Sequence, residues 1–167
     1  MKQHHHINEN ELALLSELPG MAITGISSQE CYHTLGKFAY TLGKSLTIET
    51  EGPSILMRLH SKDENPFPVV GLLKLDKIPS PVGSAVNLSL PAWSVVSKIE
   101  VWAEKMTTEN EQNTVIAENT LLIETESALR LLICPEHPEQ ALGVYCDEKE
   151  IESILDSGRY LFKHIID

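Results

Sequence analysis

The sequence predicts an α+β domain: a mainly antiparallel sheet of six to eight strands, open or half-closed into a barrel, packed by one long helix, with short helices near the ends. Three observations predict it. From residue 45 to 146, short segments alternate apolar and polar side chains, the period of a half-buried strand. The links between them are short and carry turn residues, which favours antiparallel neighbours over strand–helix–strand crossovers. Ahead of them, one segment carries an apolar stripe at helical spacing.

Each element has its own signal. Residues 1–20 read as an N-terminal tail and a short helix. Asn8 and Glu11 have the spacing of a capping box, Leu12, Leu15 and Leu18 form one face, and Pro19-Gly20 ends the helix. The long helix is predicted over 28–43. Ser27 and Glu30 stand at capping-box spacing, Cys31, Leu35, Phe38, Ala39 and Leu42 share a face, and Gly43 falls where a C-terminal glycine belongs. Gly36 within it costs about 1 kcal/mol relative to alanine.

Strands follow at 45–50 and 54–60, joined by the turn Glu51-Gly52-Pro53. Others are expected at 69–75, 85–90, 98–106, 115–126, 129–134 and 143–146, with the run Pro79 to Gly83 as a break. Asp147 and Glu150 then open a short helix over 147–157 whose buried face is Ile151, Ile154 and Leu155, with Gly158 as its stop. Arg159–Ile166 fits a strand or a short helix. The tetrad Ile-Glu-Thr-Glu occurs at 48–51 and again at 123–126, each time before a turn and an apolar strand. A duplicated hairpin or a shared hairpin composition would each produce that echo.

The 167 residues, 42% hydrophobic and 22% charged, suit one domain spanning 1–167 and exclude a disordered or collagen-like chain. Three cysteines (Cys31, Cys134, Cys146) are too few for a secreted disulfide scaffold, and their odd number leaves a free thiol. With no apolar leader and no apolar run near the ~18 residues of a membrane helix, the expectation is a soluble, cytoplasmic protein.

The net charge of −11 is unevenly spread. Residues 1–99 carry eight basic and nine acidic side chains, whereas 100–156 carry three basic and fourteen acidic. This acidic second half repels phosphate backbones and anionic membranes, so neither nucleic acid nor membrane is expected as a partner. It attracts a basic protein.

The search for chemistry yields no catalytic residue. Gly43-Lys44-Ser45 resembles the end of a phosphate-binding loop, but position 38 is Phe rather than Gly, and a helix precedes a strand where the loop needs the reverse. No Gly-x-Ser-x-Gly occurs, and the paired carboxylates are too numerous to single out an acid–base pair. His33, His60 and His164 are scattered. The three histidines at 4–6 support no metal site alone. Cys134, His137 and Cys146 are weak candidates for zinc, since no Cys-x-x-Cys accompanies them. No cofactor is expected.

These observations favour a non-enzymatic, acidic protein-interaction module, an inhibitor or immunity-type protein that covers a basic partner. Its interface candidates are Trp102, Glu104, Glu118, Glu124 and Glu126, on one contiguous acidic face, with Trp102 as an aromatic anchor. Trp93 is the second tryptophan. The stretch Thr120–Leu155 resembles small bacterial immunity proteins in general style, an apolar-Glu strand, a turn, a strand and an acidic helix, without a diagnostic motif. One alternative is a small-ligand-binding protein or enzyme with a pocket between helix and sheet, its polar groups drawn from His60, Cys134 and His137. The other is a secretion-type chaperone with an exposed apolar groove.

Overall fold

The computed structural model describes residues 1–34, 39–79, 86–88, 94–137 and 140–167. Strands hold 58% of the described residues and helices 11%. In chain order the elements are β1 (Lys2–His5), α1 (Glu9–Ser16), β2 (Ile23–Ser28), β3 (Cys31–Thr34), β4 (Ala39–Leu42), β5 (Ser45–Thr50), β6 (Ser54–Lys62), β7 (Val70–Ile78), β8 (Val86–Asn87), β9 (Val96–Thr107), β10 (Thr114–Thr125), β11 (Arg130–Glu136), β12 (Ala141–Tyr145), α2 (Glu148–Leu155) and β13 (Tyr160–Ile166). They form two sheets. The larger runs β13-β9-β10-β11-β12-β4-β3, with β1 added in parallel beside the first half of β10; the smaller runs β7-β6-β5-β2-β8.

This corrects the α+β prediction. Among the described residues no long helix packs on the sheet, and thirteen strands in two sheets replace a single sheet of six to eight. The segment read as a helix over 28–43 holds β3 and β4, an antiparallel pair with Cys31 opposite Leu42 and Thr34 opposite Tyr40. The physical reason lies in β4. Ala39, Tyr40, Thr41 and Leu42 are all buried, so both faces of the strand are covered and the two-residue alternation that marks a strand is lost. Leu35, Gly36, Lys37 and Phe38 lie outside the described residues, as does Trp93. Gly43 does not cap a helix. Its missing Cβ leaves room for Glu30, two atoms of which would lie 2.5 and 2.9 Å from a methyl group there. The N-terminal tail is also corrected, since Lys2–His5 pair in register with Thr114–Ala117.

One apolar cluster joins the sheets. Ile26, Ile48 and Met57 come from the smaller sheet, and Ile99, Leu121 and Ile133 from the larger. α1, capped by Asn8 as its sequence implies, adds Leu15 to the same cluster. It also protects an edge. β7 ends the smaller sheet, and the Leu75 N–H on it donates to Glu11 Oε2 at 2.9 Å, while the Gly71 carbonyl accepts from Asn119 Nδ2 at 2.9 Å. Two polar side chains thus answer backbone groups that an edge strand leaves unpaired. A second cluster lies under α2, where Ile151 and Leu155 cover Leu122, Leu132 and Cys134.

The two Ile-Glu-Thr-Glu tetrads occupy equivalent places in the β5–β6 and β10–β11 hairpins. Ile48 and Ile123 are fully buried, and each threonine turns its hydroxyl into the following loop. Thr50 Oγ1 donates to the Pro53 carbonyl at 2.9 Å, and Thr125 Oγ1 to the Leu129 carbonyl at 3.3 Å. The same side chains meet the same needs at two turns.

Candidate functional site: a polar cleft beside the second helix

A cleft of about 410 Å³ opens where the end of β11, the strand β12, the C-terminal half of α2 and the start of β13 meet. Cys134, Glu136 and His137 line one side, Tyr145 another, and Ser153, Ser157, Arg159 and Tyr160 the rest. The β11–β12 hairpin sets the first wall by placing Cys134 opposite Gly143 and Glu136 opposite Ala141. Gly143 is required there. A Cβ on it would fall 2.0 Å from Glu136 Oε1, so only glycine lets that carboxylate cross β12 and accept the Tyr145 hydroxyl. The far wall depends on Gly158, whose φ of +82° turns the chain out of α2. Arg159 then joins the sheet through its carbonyl, which accepts from the Lys105 N–H at 2.7 Å.

Behind the cleft sits Glu104, on β9 and fully buried. Arg159 Nη2 lies 2.5 Å from its Oε1 and His137 Nε2 lies 3.2 Å from the same oxygen. Oε1 makes these contacts without an aligned hydrogen bond, whereas Oε2 accepts from Asn119 Nδ2 at 3.0 Å and is hydrogen-bonded to His137 Nε2 at 3.3 Å. Asn119 reaches inward because β10 has a register shift between Glu118 and Thr120, an irregularity that re-aims a side chain. Thr120 Oγ1 donates to Asn119 Oδ1 at 3.1 Å and fixes the amide's orientation. Burial alone would raise the Glu104 carboxyl, but His137, Asn119 and Arg159 outweigh it and hold the group below the ordinary glutamate range. The carboxylate in turn orients His137 and Arg159 at the cleft wall.

One thiol and two phenols of the cleft are held protonated. Burial, then Glu136 and Glu104, pushes the Cys134 thiol well up; burial, then the bond to Glu136, does the same for the Tyr145 hydroxyl, and burial with Cys134 and Glu104 for Tyr160. Cys134 is therefore a poor nucleophile, and Tyr145 and Tyr160 are neutral hydroxyls beside a polar space.

The residues proposed from sequence are scattered. Cys134 and His137 share this cleft, but Cys146 packs against the main core, and among the described residues no group of three His, Cys, Asp or Glu side chains could hold a metal ion. His60 lines a different hollow, of about 300 Å³, with His4–His6, Glu11 and Glu118. Of the five interface candidates, Glu104 and Glu118 are buried. Trp102 is half-buried and donates from Nε1 to Glu100 Oε2 at 3.2 Å; Glu124 lies 3.5 Å from Lys98; Glu126 is exposed in the β10–β11 turn. Asn119, Glu136, Tyr145, Arg159 and Tyr160 were not singled out from sequence. One signal pointed towards Arg159: it is a basic residue directly after the glycine that ends α2, at the border of a strongly acidic segment. Among the described residues no helix is long and apolar enough to cross a membrane. No family model, no curated protein and no solved structure matches the chain.

Proposed function

We propose that this protein binds a small polar ligand in the cleft between the β11–β12 hairpin and α2. The observation that carries the reading is the convergence of His137 and Arg159, both anchored on buried Glu104, at the wall of a 410 Å³ concavity. Its size lies in the range of small-molecule sites, and a few fixed polar groups among apolar walls are their usual lining. Arg159 offers further guanidinium donors, and the hydroxyls of Tyr145, Tyr160, Ser153 and Ser157 add neutral ones. Pro135 and Ile154 supply the apolar surface. Because Glu104 offsets the positive charge, the cleft suits a polar ligand of little net charge better than a polyanion.

The test is capture of small molecules. Purified protein is incubated with a metabolite extract, desalted, denatured, and the released molecules are identified by mass spectrometry. Ser153→Phe serves as comparison, since Ser153 is exposed on α2 and a large ring there fills the cleft without touching Glu104. A compound should leave with the wild type and be absent from the variant; equal recovery from both proteins would sink the reading.

A second reading, the acidic interaction module, is supported by β13. This strand forms an edge of the larger sheet and leaves Phe162 47% and Ile165 53% exposed, with Phe162 edge-on to Trp102 at 5.6 Å. Exposed apolar edges are places where another chain can pair. On this reading a basic protein is captured at low salt and lost both at about 1 M salt and on Phe162→Ser.

A further inference from the structure

A second concavity, of about 220 Å³, lies on the smaller sheet, where β2, β5 and β6 adjoin. Its walls are Ser27, Ser28, Ser45, Thr47 and Arg58, with Leu56 as an apolar surface. A neighbouring hollow shares Ser28, Gln29 and Ser45 with it and adds Glu30, Gly43 and Lys44. The tripeptide Gly43-Lys44-Ser45, which fails as a nucleotide loop, is therefore the link from β4 into β5 at the margin of this groove.

One atom in the groove lacks a partner. Ser27 is 1% exposed, and its Oγ makes no hydrogen bond among the described residues. Buried hydroxyls are almost always paired, so an orphan facing a concavity asks for a group that enters from outside. Its neighbour differs. Ser28 Oγ lies 2.9 Å from the Glu30 carbonyl and 2.8 Å from the Ser45 carbonyl, and so is committed within the fold.

The charges beside it are unusual for this protein. Arg58 lines the groove with the hydroxyls and Lys44 lines the adjoining hollow, both in the half of the chain that escapes the acidic excess. Arg58 uses Nη2 on Asp76 of β7 and has four further N–H donors. Glu30, in the adjoining hollow, opposes them. A hydroxyl and a guanidinium around one small space, with an ammonium in the adjoining hollow, form a donor set that recognises a phosphate or carboxylate oxygen.

We propose that this groove binds a small oxyanion, the phosphate or carboxylate head of a compact molecule, with Ser27 Oγ donating to it, Arg58 and Lys44 supplying charge, and Leu56 meeting its apolar part. Asp76 and Glu30 keep the field modest, so inorganic phosphate alone should bind with a Kd of about 1 mM, a weak affinity.

The test is a titration of isotope-labelled protein with inorganic phosphate, followed by amide NMR against a sodium chloride series of equal ionic strength. Acetate is titrated in parallel. Saturable shifts at Ser27, Ser45 and Thr47 with phosphate, and none with chloride, are expected. Acetate matching phosphate identifies a carboxylate head, and a response to phosphate alone a phosphate ester. Ser27→Ala should weaken binding about tenfold, the equivalent of ~1.4 kcal/mol, without lowering the melting temperature of the free protein, because no internal hydrogen bond is lost. Arg58→Gln, at an exposed position, should weaken binding by a similar factor and does not depend on how Ser27→Ala folds. Three outcomes overturn the proposal: shifts reproduced by chloride, a lower melting temperature for Ser27→Ala, or saturable shifts unchanged in both variants, the mark of an adventitious ion only.

Discussion

Glu104 and Glu118 sit on neighbouring strands, both buried, yet they are neutralised in different ways. Glu104 faces a guanidinium, an imidazole and a carboxamide. Glu118 faces two imidazoles and one backbone donor: His6 Nδ1 at 3.0 Å and His164 Nε2 at 3.1 Å from Oε1, and the Ile7 N–H at 3.0 Å from Oε2. The guanidinium is charged at every accessible pH, whereas an imidazole carries charge only on the acid side of neutrality. Surroundings differ too. His137 is mostly covered, while the side chains of His6 and His164 are 65% and 45% exposed. One carboxylate thus has a permanent counter-charge at a cleft. The other ties β13 and the segment after β1 to β10 through partners that meet water. A buried carboxylate alone does not mark a site; what its partners do beside an open space does.

The largest effect that sharpens this contrast is loss of Arg159. Removing one partner of a buried pair costs about 3–5 kcal/mol, and because Arg159 is itself partly exposed, Arg159→Ala should fall near the lower end. Urea unfolding at pH 7 measures it. An effect as small as that of a surface substitution would mean that Asn119 and His137 satisfy Glu104 without the guanidinium, and the contrast would fail. Glu118→Gln should cost less, about 1–2 kcal/mol, since an amide oxygen can still accept from Ile7 and the two histidines reach water.

The pH profile separates the two further. Both carboxyls are held below the ordinary value of 4.5 against the effect of burial, Glu104 chiefly by His137 and Glu118 chiefly by His6 and Ile7. A depressed folded pKa means that the unfolded chain binds more protons in that window. Stability from both groups is therefore complete above pH 4.5 and lost as pH falls through the lower folded values. Glu118→Gln should flatten the acid limb of the curve and leave a residual slope from Glu104. A curve unchanged by the substitution would show that Glu118 is not held ionised.

Much of the strand pattern was legible in the sequence, and the reasons for the failures are specific. β5, β6, β9, β10 and β11 alternate or are bounded by clear turns, and α2 announces itself by Asp147, whose side chain accepts from the Glu150 N–H at 3.1 Å. β4 was hidden because both of its faces are buried. β1 was hidden because a polar run, Lys2–His5, pairs through backbone groups that composition does not report. For the cleft, His137 and Cys134 could be named from their residue types, but Glu104 was read as a surface acid. Its place in the alternation of β9 gave no warning. Arg159 and His137 lie 55 and 33 residues away along the chain, and only the pairing of β13 with β9 brings Arg159 back to Glu104.

The smallest expected effect concerns the three thiols, and it tests whether the cleft is as closed around Cys134 as the Glu104 network implies. Cys31 is exposed on β3, Cys146 is half-buried, and Cys134 is buried. Burial pushes the Cys146 thiol up to about 12, and burial with Glu136 and Glu104 carries Cys134 well above the ordinary range. Since the thiolate is the reacting form, a disulfide reagent at pH 8 should label Cys31 rapidly and the other two only as the fold opens. Cys31→Ser should remove the fast phase without a measurable change in stability. If Cys134 reacted in that phase, the wall formed by Glu104, Tyr160 and Glu136 would be open to solvent. The ligand space would then extend to the sheet itself, and the distinction between a carboxylate with a covered imidazole partner and one whose imidazole partners meet water would no longer separate Glu104 from Glu118.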